Sequence, residues 1–391
     1  MSTLPFGQDR ALPDTAIEAD VDASSAAIDR TAYEGQWSLI WRKFSRHRLG
    51  VAGGVVVVLL YIIAAAPDFF SPTGPEVYNP RYTYAPPQPI HFLLDTEEGV
   101  VFRPHVKAYN SVLDYDSGRR VFETSEEEIH AVGMFVSGEP YRLFGLIPTD
   151  IHLFGTLEKD APFYLVGADR LGRDILTRTI HGARISMTIG LIGVGLSLFF
   201  GILIGGISGY FGGVTDNVIQ RLIEFIQSVP SIPLWIGLAA AIPLDTPPLQ
   251  VYFMITIILS IIGWTGLARV VRGRFLSMRG DDFVKAARLD GASTLRILFR
   301  HMLPSFMSHI IAVVTLAIPS MILAETALSY IGIGLRQPIV SWGVLLQEAQ
   351  NVRTIAGAPW LMLPGAAVII AVLSLNFLGD GLRDAADPYQ N

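Results

Sequence analysis

The chain has no cysteine, which excludes disulfides, thiolate metal sites and cysteine nucleophiles. Charge is scarce. Only 16% of the 391 residues are Asp, Glu, Lys or Arg, against about 25% in a soluble domain. With 51% hydrophobic residues, that deficit points to a membrane protein. A global basic field is missing too: the formal net charge is −6, which argues against nucleic acid as a partner. No Gly-Lys pair occurs, so the phosphate-cradling GxxxxGK[ST] loop is absent and the chain is not itself a P-loop ATPase. HExxH and GxSxG are missing as well. The eight histidines are scattered, so neither a catalytic residue nor a metal site is expected. Residues 1–35 hold no long apolar run. They read as a disordered cytoplasmic tail rather than a secretory signal.

What the chain does have is long apolar runs. Crossing the hydrocarbon core takes about 20 mostly apolar residues. Six stretches qualify, roughly 49–66, 185–207, 218–242, 251–271, 305–326 and 360–378. The third contains Pro230 and Pro233, which break the helical hydrogen-bond ladder. The expected fold is an all-α polytopic membrane protein with six transmembrane helices. Basic residues precede the first span (Arg42, Lys43, Arg46, Arg48) and fill the stretch between the fourth and fifth (Arg269, Arg272, Arg274, Arg279, Lys285, Arg288, Arg296, Arg300). The positive-inside rule places both stretches, and both termini, in the cytoplasm. Arg170, Arg173, Arg178 and Arg184 fall on the outer side instead. Asp169 and Asp174 are available to pair with some of them, with Arg173 and Asp174 expected as an ion pair. Residues 36–70 read as an amphipathic lead-in plus the first span. Residues 71–165 open Pro-rich and continue with strand-like runs at 100–106 and 120–124, broken by Asp116-Ser117-Gly118. They read as a β-containing external insert between the first two helices.

The stretch 280–304 is polar and basic, yet its pattern is not that of a loop. Asp281 can cap a helix carrying Phe283, Val284, Ala287 and Leu289. Gly291 stands where a helix end needs positive φ. Ser293 can cap a second helix with Leu295, Ile297, Leu298 and Met302, and Pro304 leads into the fifth span. Two short helices joined by glycine make a knob able to dock on a cytoplasmic partner. The same residues also suit a basic amphipathic segment lying on the anionic inner leaflet.

Lys285-Ala286-Ala287, Gly291 and Leu303-Pro304 resemble the EAA loop of ABC importer permeases, with Lys285 in place of Glu and His301 where Ile is common. The segments 167–174 and 182–186, Gly209–Gly213, 325–334, Gln337-Pro338, Ser341–Gly343 and 376–384 are similar to the dipeptide/oligopeptide/nickel (DppC/OppC-type) permeases in the same order. The resemblance implies a MetI-like five-helix core at 166–391 plus an N-terminal helix. It implies a second homologous permease, two ATPase domains binding ATP and Mg, an external solute-binding protein and a place in the bacterial inner membrane. No cofactor is implied for this chain. ATPase coupling is assigned to Asp282, Lys285, Ala286, Ala287, Gly291, Ala292, Leu303 and Pro304. Di- or oligopeptides are the implied cargo, with oligosaccharides, glycosides or a metal complex as alternatives.

Polar residues near the apolar runs are candidates for a translocation path: Gln227, Ser228, Ser231, Glu325 and Asn376. Helix–helix hydrogen bonding is the competing role for them. An ATP-independent secondary transporter would require inverted repeats or mid-membrane charge, and neither is evident. A receptor or enzyme acting through residues 71–165 would need a catalytic constellation, which that segment lacks.

Overall fold

The computed structural model describes residues 36–96, 99–114, 119–159 and 161–386. The expected tail at 1–35 and the turn at Asp116-Ser117-Gly118 lie outside the described residues. Helix α1 (Gln36–Arg46) leads into α2 (Arg48–Ala65). His47 marks the junction, its Nδ1 accepting from the Gly50 amide at 2.9 Å. Helix α2 is apolar on every side, as a lipid-exposed span must be. Its glycines face the last helix, α13 (Leu363–Ala386). A Cβ added at Gly53 would fall 2.5 Å from the Ser374 carbonyl oxygen. Small residues at such a seam let two backbones approach closely.

After the short α3 (Pro67–Phe70), four antiparallel strands form one meander in the order β1-β2-β3-β4. They are β1 (His91–Thr96), β2 (Gly99–Asp114), β3 (Arg119–Leu143) and β4 (Ile147–Thr156). The 25-residue β3 serves two partners. Its first half pairs with β2 (Val112 opposite Val121) and its second with β4 (Val136 opposite His152). The sheet is tied to the helices at its base. Buried His152 lies 2.8 Å from the carbonyl oxygens of Asp68 and Ser71. Buried Gln88 accepts from the Tyr164 amide at 2.7 Å and donates to the Lys107 carbonyl.

The helical body follows: α4 (Ile175–Phe211), α5 (Gly213–Ser228), α6 (Ser231–Ala240), α7 (Pro248–Met278), α8 (Asp282–Leu289), α9 (Thr294–Arg296), α10 (Met307–Tyr330), α11 (Trp342–Gln347), α12 (Val352–Gly357) and α13. Among the described residues, five helices are long and apolar enough to cross a membrane. They are α2, α4, α7, α10 from His309, and α13 with the turn before it. A sixth crossing requires counting α5 and α6 together, and these are bent by 80°. Of the prolines expected to interrupt the third run, Pro230 sits at that break as the residue preceding α6, and Pro233 lies in the first turn of α6.

Helix α4 begins ten residues before the apolar run expected at 185–207. The extension is polar but enclosed: Thr177, Arg178 and Thr179 are all buried. Asp169 accepts from Arg173 Nε at 2.7 Å and Arg178 Nη1 at 2.6 Å. Glu348 lies 3.2 Å from Arg170 Nε and 3.6 Å from Arg173 Nη2. Arg170, Arg173 and Arg178 are thereby matched to carboxylates. The expected Arg173–Asp174 ion pair is not what forms. Asp174 instead caps α4, its Oδ2 accepting from the Thr177 amide at 2.7 Å, because a helix start must satisfy its free N–H groups.

Helices α4 and α7 make the tightest long seam. Gly201, Gly205 and Gly209 repeat every four residues along α4. A Cβ at Gly209 would lie 2.6 Å from the Arg272 carbonyl oxygen, and one at Gly205 would collide with the Ala268 backbone. Two ends of the body result. One carries the start of α4, the end of α10, the start of α13 and the sheet. The other carries α1, the α4–α5 corner and residues 279–306.

Two predictions follow from these contacts. Gly205→Val is expected to abolish monodisperse protein in mild detergent, whereas Gly195→Val, at an exposed site with open space around it, is expected to preserve it; equal yields would remove the seam from the fold's requirements. Burial raises the Asp174 carboxyl to about 6, because desolvation disfavours its charged form. The folded chain then holds this proton more tightly than the unfolded chain, so the group's contribution to stability falls as pH rises through about 6. Asp174→Asn keeps the cap without the charge. Its thermal unfolding temperature in detergent is expected to match or exceed wild type above about pH 7, with the gain shrinking below about pH 6. Asp174→Ala loses the cap and is expected to cost about 1 kcal/mol.

Candidate coupling site and translocation face

Residues 279–306 fold into a knob whose turns can be derived one by one. Asp281 precedes α8 in extended geometry, although its side chain makes no capping bond. Lys285 Nζ reaches back to Asp282 at 3.1 Å. The helix ends where glycine allows it to. Gly291 has φ +75°, and the amides of Gly291 and Ala292 return to the carbonyls of Arg288 and Ala287. That pair of bonds is the Schellman arrangement, which satisfies carbonyls left open at a helix end. Ser293 Oγ then accepts from the Arg296 amide at 3.4 Å. The second helix differs from the α-helix expected: after α9 the chain widens into a π-helical stretch, Ile297–Met302, and tightens into a 3-10 turn, Leu303–Phe306. Wide turns of this kind are rare and collect at functional sites.

The knob has two faces. Val284, Ala287, Ile297, Leu298, Met302, Leu303 and Phe306 are buried. They form one core with Leu267, Val271 and Phe275 of α7 and Ile310 of α10. The Phe275 and Phe306 rings meet edge to face at 5.4 Å. The Arg288 guanidinium lies over the Tyr210 ring at the end of α4, 5.2 Å from its centroid. The outer face presents apolar groups to open space: Phe283, Leu295, Phe299, and Leu289 at 87% exposure. Beside them runs a cleft of about 360 Å³ lined by Asp290, Arg296, Arg300 and His301. Of the residues expected to couple, Asp282, Lys285, Ala286, Gly291 and Pro304 are exposed. Ala292 is half-buried, and Ala287 and Leu303 belong to the core.

The α4–α5 corner braces the knob's root. Gly212 and Gly213 both have positive φ, which turns the chain within a single residue. Asp216, just beyond, accepts from Arg272 Nε and Nη2, each at 2.5 Å, and from Ser208 Oγ at 2.5 Å. The sequence shows Arg272 only as one of the basic residues between the fourth and fifth spans, with no partner assigned to it. An acid one turn past a glycine corner was the available signal.

The C-terminal half, residues 201–390, matches the family model for the binding-protein-dependent transport system inner membrane component. Residues 35–87 match the model for the N-terminal TM domain of oligopeptide transport permease C. The oligopeptide transport system permease protein OppC of Bacillus subtilis is 40% identical over 223 residues, 57% of this chain and 70% of the relative. This chain belongs to the binding-protein-dependent transport inner membrane components. Two further relatives of this permease are the dipeptide transport system permease protein DppC of Bacillus subtilis (38% identical, 57% of this chain, 68% of the relative) and OppC of Salmonella typhimurium (35%, 66% and 83%). Among solved structures, one titled for inward-facing conformations of the MetNI methionine ABC transporter overlaps at TM-score 0.43 and 16% identity, covering 55% of this chain and 98% of that one. The relatives are named as permease proteins of oligopeptide and dipeptide transport systems. The sheet falls between the stretches that the two models match.

The expected path residues of this permease separate into three places. Gln227, Ser228 and Ser231 gather at the 80° bend. Gln227 Nε2 donates to Thr265 Oγ1 of α7 at 2.9 Å, and Ser228 Oγ donates to its own helix at the Phe225 carbonyl. Ser231 lines a cavity of about 290 Å³ with Ser197, Trp235, Ser320 and apolar neighbours from α4, α7 and α10. Glu325 is fully enclosed. Its carboxylate accepts from Ser186 Oγ at 3.1 Å and from Ser329 and Ser341 Oγ at 2.8 Å. It ties α4, α10 and the start of α11 together, so its oxygens are engaged within the chain. Asn376 is half-buried on α13.

Gly291→Val replaces the one residue type that takes φ +75° without strain. The chain is expected to remain inserted and monodisperse while solute uptake falls at least about tenfold. Uptake at the wild-type rate, at matched expression, would separate the knob from transport.

Proposed function

We propose that this permease pairs with a second, homologous permease to form the translocation path of an ATP-driven importer for di- or oligopeptides. The knob at 280–304 receives the motion of separate ATPase subunits, which bind ATP and Mg. The observation that carries this reading is the knob's division of labour. One face is fused into the core of α7 and α10, while the other offers exposed Phe283, Leu289, Leu295 and Phe299 beside cationic Arg296 and Arg300. An element lying flat on lipid would need no stiff root. Asp282, Lys285, Ala286 and Gly291 are the contact surface, Ala287 and Leu303 the anchors, and Ala292 and Pro304 the turns between them. The oligopeptide and dipeptide systems named among the relatives support peptides as cargo.

The orientation follows from charge. Arg42, Arg46, Arg274, Arg279, Arg296 and Arg300 cluster at the knob end, so that end and both termini face the cytoplasm. Helices α5 and α6 then count as one bent span, which makes six. The sheet at 91–156 stands outside, on the side of the solute-binding protein. Closure of the ATPases draws on the knob, tilts α7 and α10, and opens the path outward. This is alternating access driven by a difference in contacts between two states.

Gentle purification of the tagged chain from its native membrane is expected to bring down a second permease and one or two P-loop ATPases, with vanadate-sensitive ATP hydrolysis. A lone chain without hydrolysis across several mild detergents, or peptide uptake that survives ATP depletion and collapses with the ion gradient, would overturn the importer reading.

A further inference from the structure

A second cleft, of about 200 Å³, opens at the end of the body opposite the knob. One wall is the turn from α6 to α7, with Ile242, Leu244 and Thr246. The other is the loop after α10, with Ile333, Arg336 and Gln337. Arg336 is half-buried there. No acid lies within ion-pair reach of its guanidinium among the described residues. The contrast with the arginines ahead of α4 is sharp, since Arg170, Arg173, Arg178 and Arg184 each lie within 4.0 Å of a carboxylate from Asp169, Glu348 or Asp68. A partly desolvated guanidinium beside apolar walls is held against the loss of its hydration. It has five donors in a planar fork, the shape that takes a carboxylate in two parallel hydrogen bonds.

The cleft also has a successor along the chain. Helix α6 has ten residues, or about 15 Å at 1.5 Å per residue. Its far end borders this cleft at Ala239, while its near end, at Ser231 and Trp235, lines the cavity at the bend. Trp235 Nε1 is buried without a hydrogen-bond partner among the described residues. Buried donors of this kind are normally satisfied. The two hollows therefore lie one short helix apart, the outer with an unmatched cation and the inner with serines and an unmatched N–H.

We propose that Arg336 is a specificity-determining residue that receives the terminal carboxylate of a peptide at the outer mouth, with the apolar wall taking its last side chain. This rests on the peptide-importer reading above. The carboxylate then has the Ser231 and Trp235 donors as its next site when α6 and α7 move.

The test uses the complete transporter in proteoliposomes with saturating binding protein, and two probes: trialanine and its C-terminal amide. The readout is the acid-to-amide ratio of uptake rates, to which the binding protein contributes equally in all variants. Arg336→Gln is expected to lower that ratio about tenfold, the scale of one charge-assisted pair, with basal ATP hydrolysis unchanged. Arg336→Lys is expected to keep part of the ratio, because it keeps the charge but not the fork. An unchanged ratio in Arg336→Gln would overturn the proposal. So would equal loss of acid and amide uptake, which would assign Arg336 to docking the binding protein or to a lipid phosphate. Wild-type transporter that imports neither probe while hydrolysing ATP would instead defeat the peptide reading on which the proposal stands.

Discussion

The close seam of α4 against α7 sets the terms for the rest of the molecule. Gly205 and Gly209 bring the two backbones into contact along the half nearer the knob, and Gly201 makes room for the Leu267 side chain. Farther along, Ser260 Oγ of α7 donates to the Gly193 carbonyl of α4 at 3.1 Å. Lipid offers no hydrophobic force to hold helices together, so contact of this kind supplies much of what burial supplies in water. The seam also sets what lies beyond it. One turn past Ala268, on which Gly205 packs, Arg272 reaches Asp216, a clamp that can form only because α4 and α7 are already this close. Phe275, one turn past Arg272, is then fixed as the root of the knob.

The bent segment α5–α6 is what the seam leaves free. Helix α5 is amphipathic and has few buried residues, Asp216 and Ile223 among them. Helix α6 is apolar, and Ala239 is buried within it. Neither is gripped as α4 is. The break at Val229 and Pro230 lacks the amide that would continue the ladder, and Gln227 steadies it through Thr265. A weakly held, broken helix bordered by one hollow at each end is the element best placed to move when α7 moves. The enclosed Glu325 works the other way. Three serine hydroxyls hold it, and Ser186 also accepts from the Trp342 amide at 3.1 Å. It locks α4, α10 and α11 into one block against which α6 can shift.

Much of this was legible in the sequence, for reasons that differ by element. The spans are apolar runs, and no other solution satisfies the backbone in lipid. The glycine turn at 291 and the Ser293 cap were readable because each depends on one residue's own geometry. What was hidden depends on distant partners. Helix α4 starts at Ile175 because Asp169, more than a turn earlier, neutralises its buried Arg178, while Glu348, far along the chain, pairs with Arg170 and Arg173 just ahead of it. Composition alone therefore stopped the span at its apolar part. Pro230 announced a break but not an 80° bend. Nothing in the residues announced the π-helical stretch at 297–302, whose Ile297, Leu298 and Met302 all join one core. Arg173 went to Asp169 rather than Asp174 because a helix start claimed Asp174 first.

The knob's stiffness bears on how force can pass through it. Phe275, Ile297, Leu298, Met302 and Phe306 are each almost fully buried, and each large apolar side chain contributes about 1.5–3 kcal/mol by leaving water. Parting the knob from α7 would expose most of them at once. The cost is several times what a few exposed side chains docking elsewhere could offset. A partner pulling on Phe283 or Leu289 would therefore carry α7 and the start of α10 with it. Beside the corner at Gly212 and Gly213, the Asp216–Arg272 clamp ties α5 to α7, so α5 is carried along. Movement begun at the knob is thus steered toward α5 and the bend, the region that holds Gln227, Ser228 and Ser231.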